Sequence, residues 1–131
     1  MNATLKQGND TGPVDIATMR ETALLLLGPD DGPEALPPAP KELDTLAATL
    51  RGHLELLIPE VTAKAGRLAK DCVFRYCALA CVGEADRKLR VGDGCTPPVR
   101  AAVARKLARS VKALCDHYEK LDGATPVDEQ S

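Results

Sequence analysis

The chain has 131 residues, 44% hydrophobic and 27% charged, with a net charge of −2 and only three aromatic side chains, Phe74, Tyr76 and Tyr118. That size and balance fit one soluble domain able to bury a core without disulfides or metal. The charge supplies no overall field for nucleic acid or an acidic membrane, no span approaches the roughly 18–20 apolar residues of a bilayer crossing, and the shortage of aromatic and β-branched residues argues against a β-sandwich or barrel.

Residues 1–12 are polar, contain two glycines and read as a disordered arm. They show no apolar signal-peptide core. The first helix is expected from Pro13, which suits a first-turn position. Ile16, Met19, Ala23 and Leu27 recur at helical spacing, and Gly28-Pro29 ends the pattern. Leu24, Leu25 and Leu26 widen its apolar surface almost to the full circumference, more than a short helix needs. Residues 28–40 then hold five prolines and the acids Asp30, Asp31 and Glu34, which predicts a stiff linker.

The second helix opens near Pro40. Leu43, Leu46, Ala47, Leu50, Leu54, Leu57, Val61 and Ala65 line one face. Pro59 lies inside this stripe and predicts a kink, because it lacks an N–H and crowds the carbonyl of Glu55. A break falls at Lys70-Asp71, with Asp71 placed to cap the next helix. The third helix is expected over residues 72–90. From Val73 to Gly83 it holds one charge, Arg75, among small and apolar residues. That composition predicts a helix buried on nearly all sides by close neighbours. Gly83 costs about 1 kcal/mol there relative to Ala, so either another helix approaches closely or the helix ends early. Residues 84–90 turn polar and must leave the core.

Residues 91–95 form a loop, and Thr96-Pro97 is a helix start: a capping hydroxyl before Pro at the first helical position. Val99, Val103, Leu107, Val111, Leu114, Tyr118 and Leu121 make one stripe, ended by Gly123. This last helix is about 39 Å long. Residues 124–131 read as a flexible acidic tail. The fold expected is therefore all-α: a four-helix, bundle-like single domain over residues 13–123, with a Pro-kinked second helix and a buried third.

Candidate chemistry is sparse. The two serines lie in no nucleophile elbow, and no Gly-rich phosphate loop occurs. Cys77 and Cys81 stand one turn apart on one helix face. With His53 and His117 from facing helices they make the one conceivable catalytic pair or metal set, a small enzyme or ligand-binding bundle. Cys115 and His117, two apart, point away from each other and cannot share that set. The simpler reading of these thiols is core filling, with no metal and no cofactor. The pairs Asp30-Asp31, Glu55 with Glu60, and Glu84 with Asp86 read as solvated. Five cysteines with no CxxC spacing fit a reducing cytoplasm.

The charge distribution carries more. Residues 97–112 hold five basic groups and no acid, whereas residues 113–131 hold one basic group and five acids. Arg105, Arg109 and Lys112 share a face, against the sense of the helix dipole. They read either as a solvated strip relieved by Lys112–Asp116 and Asp116–Lys120 pairs or as a docking strip for an acidic partner. DNA contact is the weaker alternative: the strip is short and no helix-turn-helix precedes it.

Four segments carry a resemblance: Met19-Arg20-Glu21-Thr22-Ala23-Leu24-Leu25-Leu26-Leu27-Gly28, Leu50-Arg51-Gly52-His53-Leu54-Glu55-Leu56-Leu57-Ile58-Pro59-Glu60-Val61, Arg75-Tyr76-Cys77-Ala78-Leu79-Ala80-Cys81-Val82-Gly83-Glu84-Ala85 and Ala108-Arg109-Ser110-Val111-Lys112-Ala113-Leu114-Cys115-Asp116-His117-Tyr118-Glu119. Over about residues 19–122 the chain resembles a small actinobacterial family of unknown function whose members are labelled natural product biosynthesis proteins. The resemblance implies a biosynthetic setting and no defined activity or active site. The expectation is a non-enzymatic accessory protein that binds a protein partner, or a second copy of itself, through Leu24, Leu25, Leu26 and the strip Arg105, Arg109 and Lys112.

Overall fold

The computed structural model describes residues 14–28 and 38–123, and within them four helices: α1 Ile16–Leu27, α2 Pro40–Gly66, α3 Val73–Arg90 and α4 Pro97–Gly123. The arm at 1–12, the tail at 124–131 and the acids Asp30, Asp31 and Glu34 lie outside the described residues.

Local chemistry sets the helix ends. Asp15 caps α1, its carboxylate accepting from the Thr18 backbone N–H (3.1 Å) and hydroxyl (2.9 Å). Gly28 closes α1 at a φ of 75°, and its N–H donates to Leu24 O. Thr96 caps α4 through its hydroxyl, which accepts from the Val99 N–H at 3.4 Å. In the α3–α4 loop Gly94 has a φ of 100°, and a Cβ there would sit 2.5 Å from Val99 Cγ1, so glycine is required. The expected Asp71 cap does not form. Cys72 is the N-cap of α3 and makes no side-chain capping bond.

α2 and α4 form the centre. They run parallel: Arg100 pairs with Asp44 near the start, and Lys64 pairs with Asp122 near the end. Their facing stripes meet in a seam of fully buried side chains, Leu50, Leu54, Leu57 and Val61 from α2 with Leu107, Val111, Leu114 and Cys115 from α4. Each leucine buried this way contributes on the order of 1.5–3 kcal/mol. α1 and α3 flank this pair on different sides and make no contact with each other among the described residues. Arg20 fastens α1 to α4 by forking onto Asp116 (2.6 Å) and Glu119 (2.5 Å). This fork gives Asp116 a partner on another helix. α3 returns antiparallel to α2, held by two arginines. Arg51 of α2 donates to the α3 exit at Leu89 O (3.0 Å) and Val91 O (2.8 Å) and to Asp93 (2.8 Å). Arg75 of α3 donates back to Leu68 O at 3.0 Å, just past the end of α2.

Two expectations are corrected. α3 is not buried on nearly all sides: only Ala78 and Ala85 are fully buried. It lies on one flank of the α2–α4 pair, and among the described residues no element covers its outer face. Second, Gly83 marks neither a close approach nor an end: the nearest atom to an added Cβ is Arg87 Nη1 at 3.9 Å. α2 is one continuous helix through Pro59, as the unbroken phase of its stripe requires. Pro59 and Glu55 are both exposed, so water can take up the carbonyl that Pro59 leaves unbonded.

Two substitutions are expected to move stability in opposite directions in urea denaturation. Leu107→Ala should cost about 2–5 kcal/mol by opening a cavity in the seam. Gly83→Ala should add about 0.5–1 kcal/mol, because the site has room and the helix gains propensity.

Candidate interaction surface

Two apolar stripes run along α3. Ala78, Val82, Ala85 and Leu89 face the α2–α4 pair, buried or half-buried. Val73, Tyr76, Cys77 and Ala80 stand at i, i+3, i+4 and i+7 on the opposite side, all exposed. Tyr76 is 74% exposed, Val73 64% and Phe74, on the flank, 47%. Two of the three aromatic residues of the chain therefore face outward on one helix. The stripe ends in charge at Glu84, where Arg87 (2.6 Å) and Lys88 (3.0 Å) both donate to the carboxylate and hold it below the usual range.

On α1 the three leucines separate. Leu25 is 62% exposed and Leu24 is exposed as well, whereas Leu26 is 2% exposed and belongs to the core. Leu26 is thus removed from the expected contact surface. A helix of this periodicity that docks on one side must turn one of three consecutive leucines inward, and Met19, Ala23 and Leu26 form that inward row. Leu25 borders a groove of about 540 Å³ lined also by Pro38, Lys41, Glu42, Thr45 and Leu46.

The basic residues of α4 divide between two surroundings. Arg109, with Lys106, Lys88, Glu84, Cys81 and Ser110, lines a groove of about 380 Å³ between α3 and α4. Arg105 and Lys112 are half-buried and lie outside its lining. Each of Arg105, Arg109 and Lys112 already has an interaction within the chain.

The set Cys77, Cys81, His53 and His117 does not share the α3–α4 groove. Cys77 is on the outer face of α3, and Cys81 alone of the four lines the α3–α4 groove. Among the described residues no three His, Cys, Asp or Glu side chains converge to hold a metal ion. Burial raises the Cys81 thiol, and Glu84 and Asp116 add to the shift. Burial also pushes Cys115 up to about 11, against the nearby Arg20. Both histidines are pushed below the ordinary value by burial. Asp15 opposes this at His53, while at His117 Lys120 reinforces it and Asp116 opposes it.

The sequence pattern of these helices, residues 17–123, matches the model of a family of unknown function, DUF6415. The chain belongs to that family. No curated protein and no solved structure matches it. Within this DUF6415 domain, the outward stripe of α3 and the α3–α4 groove were missed from sequence. A signal for the stripe existed: the inward set 78, 82, 85, 89 has its own helical spacing, which leaves 73, 76, 77 and 80 as a second face. The groove had none, since Lys88 and Lys106 meet only through the antiparallel return of α4.

Titration with an aromatic disulfide is expected to modify Cys77 and Cys95 first, both being exposed, and Cys115 only on unfolding. A burst that included Cys115 would contradict its burial in the seam.

Folding favours neutral His53 and His117, so the unfolded chain takes up protons first as pH falls through its ordinary value of 6.5. Their contribution is therefore complete above that pH and is lost as pH falls through their lowered folded-state values. Urea midpoints measured across this window should decline, and His53→Gln should flatten the slope. A midpoint that rises on acidification would contradict the depressed values.

Proposed function

We propose that this DUF6415 domain is a non-catalytic accessory domain that docks onto a protein of different sequence through its outward apolar helix faces. The observation that carries this reading is the uncharged outer side of α3, where Val73, Phe74 and Tyr76 are held in water on a fixed helix. Exposed apolar patches of this kind, rimmed by charge, mark interaction sites, and tyrosine is enriched where binding energy concentrates. Leu24 and Leu25 offer a second, smaller apolar face on α1. The reading does not rest on Arg105, Arg109 and Lys112, which are engaged within the chain.

The resemblance of four segments to proteins labelled for natural product biosynthesis supports placing the partner in such a pathway. The five free cysteines fit a reducing cytoplasm as the setting.

Affinity capture from the native host tests the reading. The wild-type domain is expected to retain a defined partner that Tyr76→Glu or Leu25→Glu loses by about tenfold or more, with helical content and melting unchanged. Equal retention by both variants would overturn it.

A further inference from the structure

We propose that the groove between α3 and α4 binds a small phosphate monoester. Lys106, Arg109 and Ser110 of α4, with Lys88 across from them on α3, hold the phosphoryl group, and the organic part lies toward Cys81 and Ala113. The site goes beyond the accessory reading and uses none of the residues on which that reading rests.

Two helix faces build the groove. Cys81, Glu84 and Lys88 stand at i, i+3 and i+7 on α3, and Lys106, Arg109, Ser110 and Ala113 at i, i+3, i+4 and i+7 on α4. Because α4 doubles back on α3, Lys88 and Lys106 share the end nearer the connecting loop, and Cys81 and Ala113 share the other. That far end is short-chained and uncharged, since burial raises the Cys81 thiol and it keeps its proton at neutral pH. Short side chains facing one another leave the space that longer ones would fill. The resulting volume of about 380 Å³ is that of a small-molecule site and exceeds what a bare ion occupies.

Two donors on the α4 face are uncommitted. Thr22, Thr45, Thr49 and Thr62 each donate their hydroxyl to the carbonyl four residues earlier in their helices. Among the described residues the half-buried Ser110 hydroxyl makes no such bond. Lys106, one turn before it, forms no ion pair among the described residues. Lys88 gives Glu84 one of its three N–H donors, at 3.0 Å. Arg109 is engaged within the chain and adds its charge and its further N–H donors.

The charges select the ligand. The lining holds three cations, Lys88, Lys106 and Arg109, against one carboxylate, Glu84, an excess of two positive charges. Glu84 is also held from outside the lining by Arg87 at 2.6 Å. A phosphate monoester carries roughly −1.5 to −2 near pH 7 and matches that excess, whereas a carboxylate leaves half of it unmatched. Shape agrees with charge. Cations on two helices meet a tetrahedral oxyanion from several sides, while the two coplanar oxygens of a carboxylate suit one forked arginine.

Calorimetric titration of the full chain with phenyl phosphate reads the site. The wild type is expected to bind with a dissociation constant of about 1 mM or below, to take inorganic phosphate more weakly, and to take benzoate about tenfold more weakly. Lys106→Gln is expected to weaken phenyl phosphate about tenfold and Ser110→Ala about threefold. Lys70→Gln, at an exposed cation outside the groove, is expected to change nothing. Ala113→Leu fills the uncharged end and is expected to weaken phenyl phosphate while sparing inorganic phosphate. Circular dichroism checks that every variant remains folded. A wild type that binds no phenyl phosphate overturns the inference, as does benzoate held equally tightly, full affinity in both Lys106→Gln and Ser110→Ala, or an equal loss of both phosphates in Ala113→Leu. The two readings fail separately. Phosphate binding is read in the isolated chain and is expected to survive Tyr76→Glu and Leu25→Glu, whereas protein capture is expected to survive Lys106→Gln.

Discussion

The seam between α2 and α4 is the constraint from which the rest of the structure follows. Leucine and valine side chains from both helices are fully removed from water along it, and their burial supplies the main driving force available to a chain with three aromatic residues. Because the two helices run parallel, the chain must travel the length of the domain between them, and α3 is that return path. α3 packs against both members of the pair but replaces neither. Its inner side is accordingly a narrow row of small residues, and its outer side is left over. α1 takes the other flank, fastened by the Arg20 fork onto Asp116 and Glu119.

Most of this architecture was legible in the sequence. The heptad-like stripe of α2 reads directly, because Leu43, Leu50, Leu54, Leu57 and Val61 alternate with charged residues that cannot be buried. Thr96-Pro97 marks the α4 start for a local reason, a hydroxyl and a ring that both suit the first turn. Gly28 marks the α1 end equally well. The position of α3 was not legible. A run of Ala, Cys, Val and Tyr has the same composition whether a helix is surrounded or merely faces two neighbours, and periodicity fails when apolar residues occupy both sides. What distinguishes the cases is which elements pack against α3, and that depends on how the helices are set side by side. The long-range ion pairs were hidden for a similar reason: Arg20, Arg51 and Lys64 look like ordinary surface cations until the helices are set side by side.

The thiols illustrate how one residue type takes different roles by location. Cys115 is part of the seam and behaves as a small hydrophobe whose proton is held tightly. Cys81 sits at the edge of a polar groove. Cys77, only one turn away, stands in water. Reading Cys77 and Cys81 as one unit therefore failed, since neighbours at i and i+4 fall on opposite sides of the boundary between flank and groove. Each imidazole is shaped by its own charged neighbours, and among the described residues no three His, Cys, Asp or Glu side chains converge to hold a metal ion.

The two arginine clasps at the ends of α3 have a dynamic consequence. Arg51 grips the exit of the helix and Arg75 grips the end of its predecessor, so the rod is tethered to the same scaffold at top and bottom. A visitor meeting the tyrosine side would find a rigid platform already in its bound shape. Its arrival would freeze few backbone degrees of freedom, and recognition there would proceed by simple collision rather than by folding upon contact.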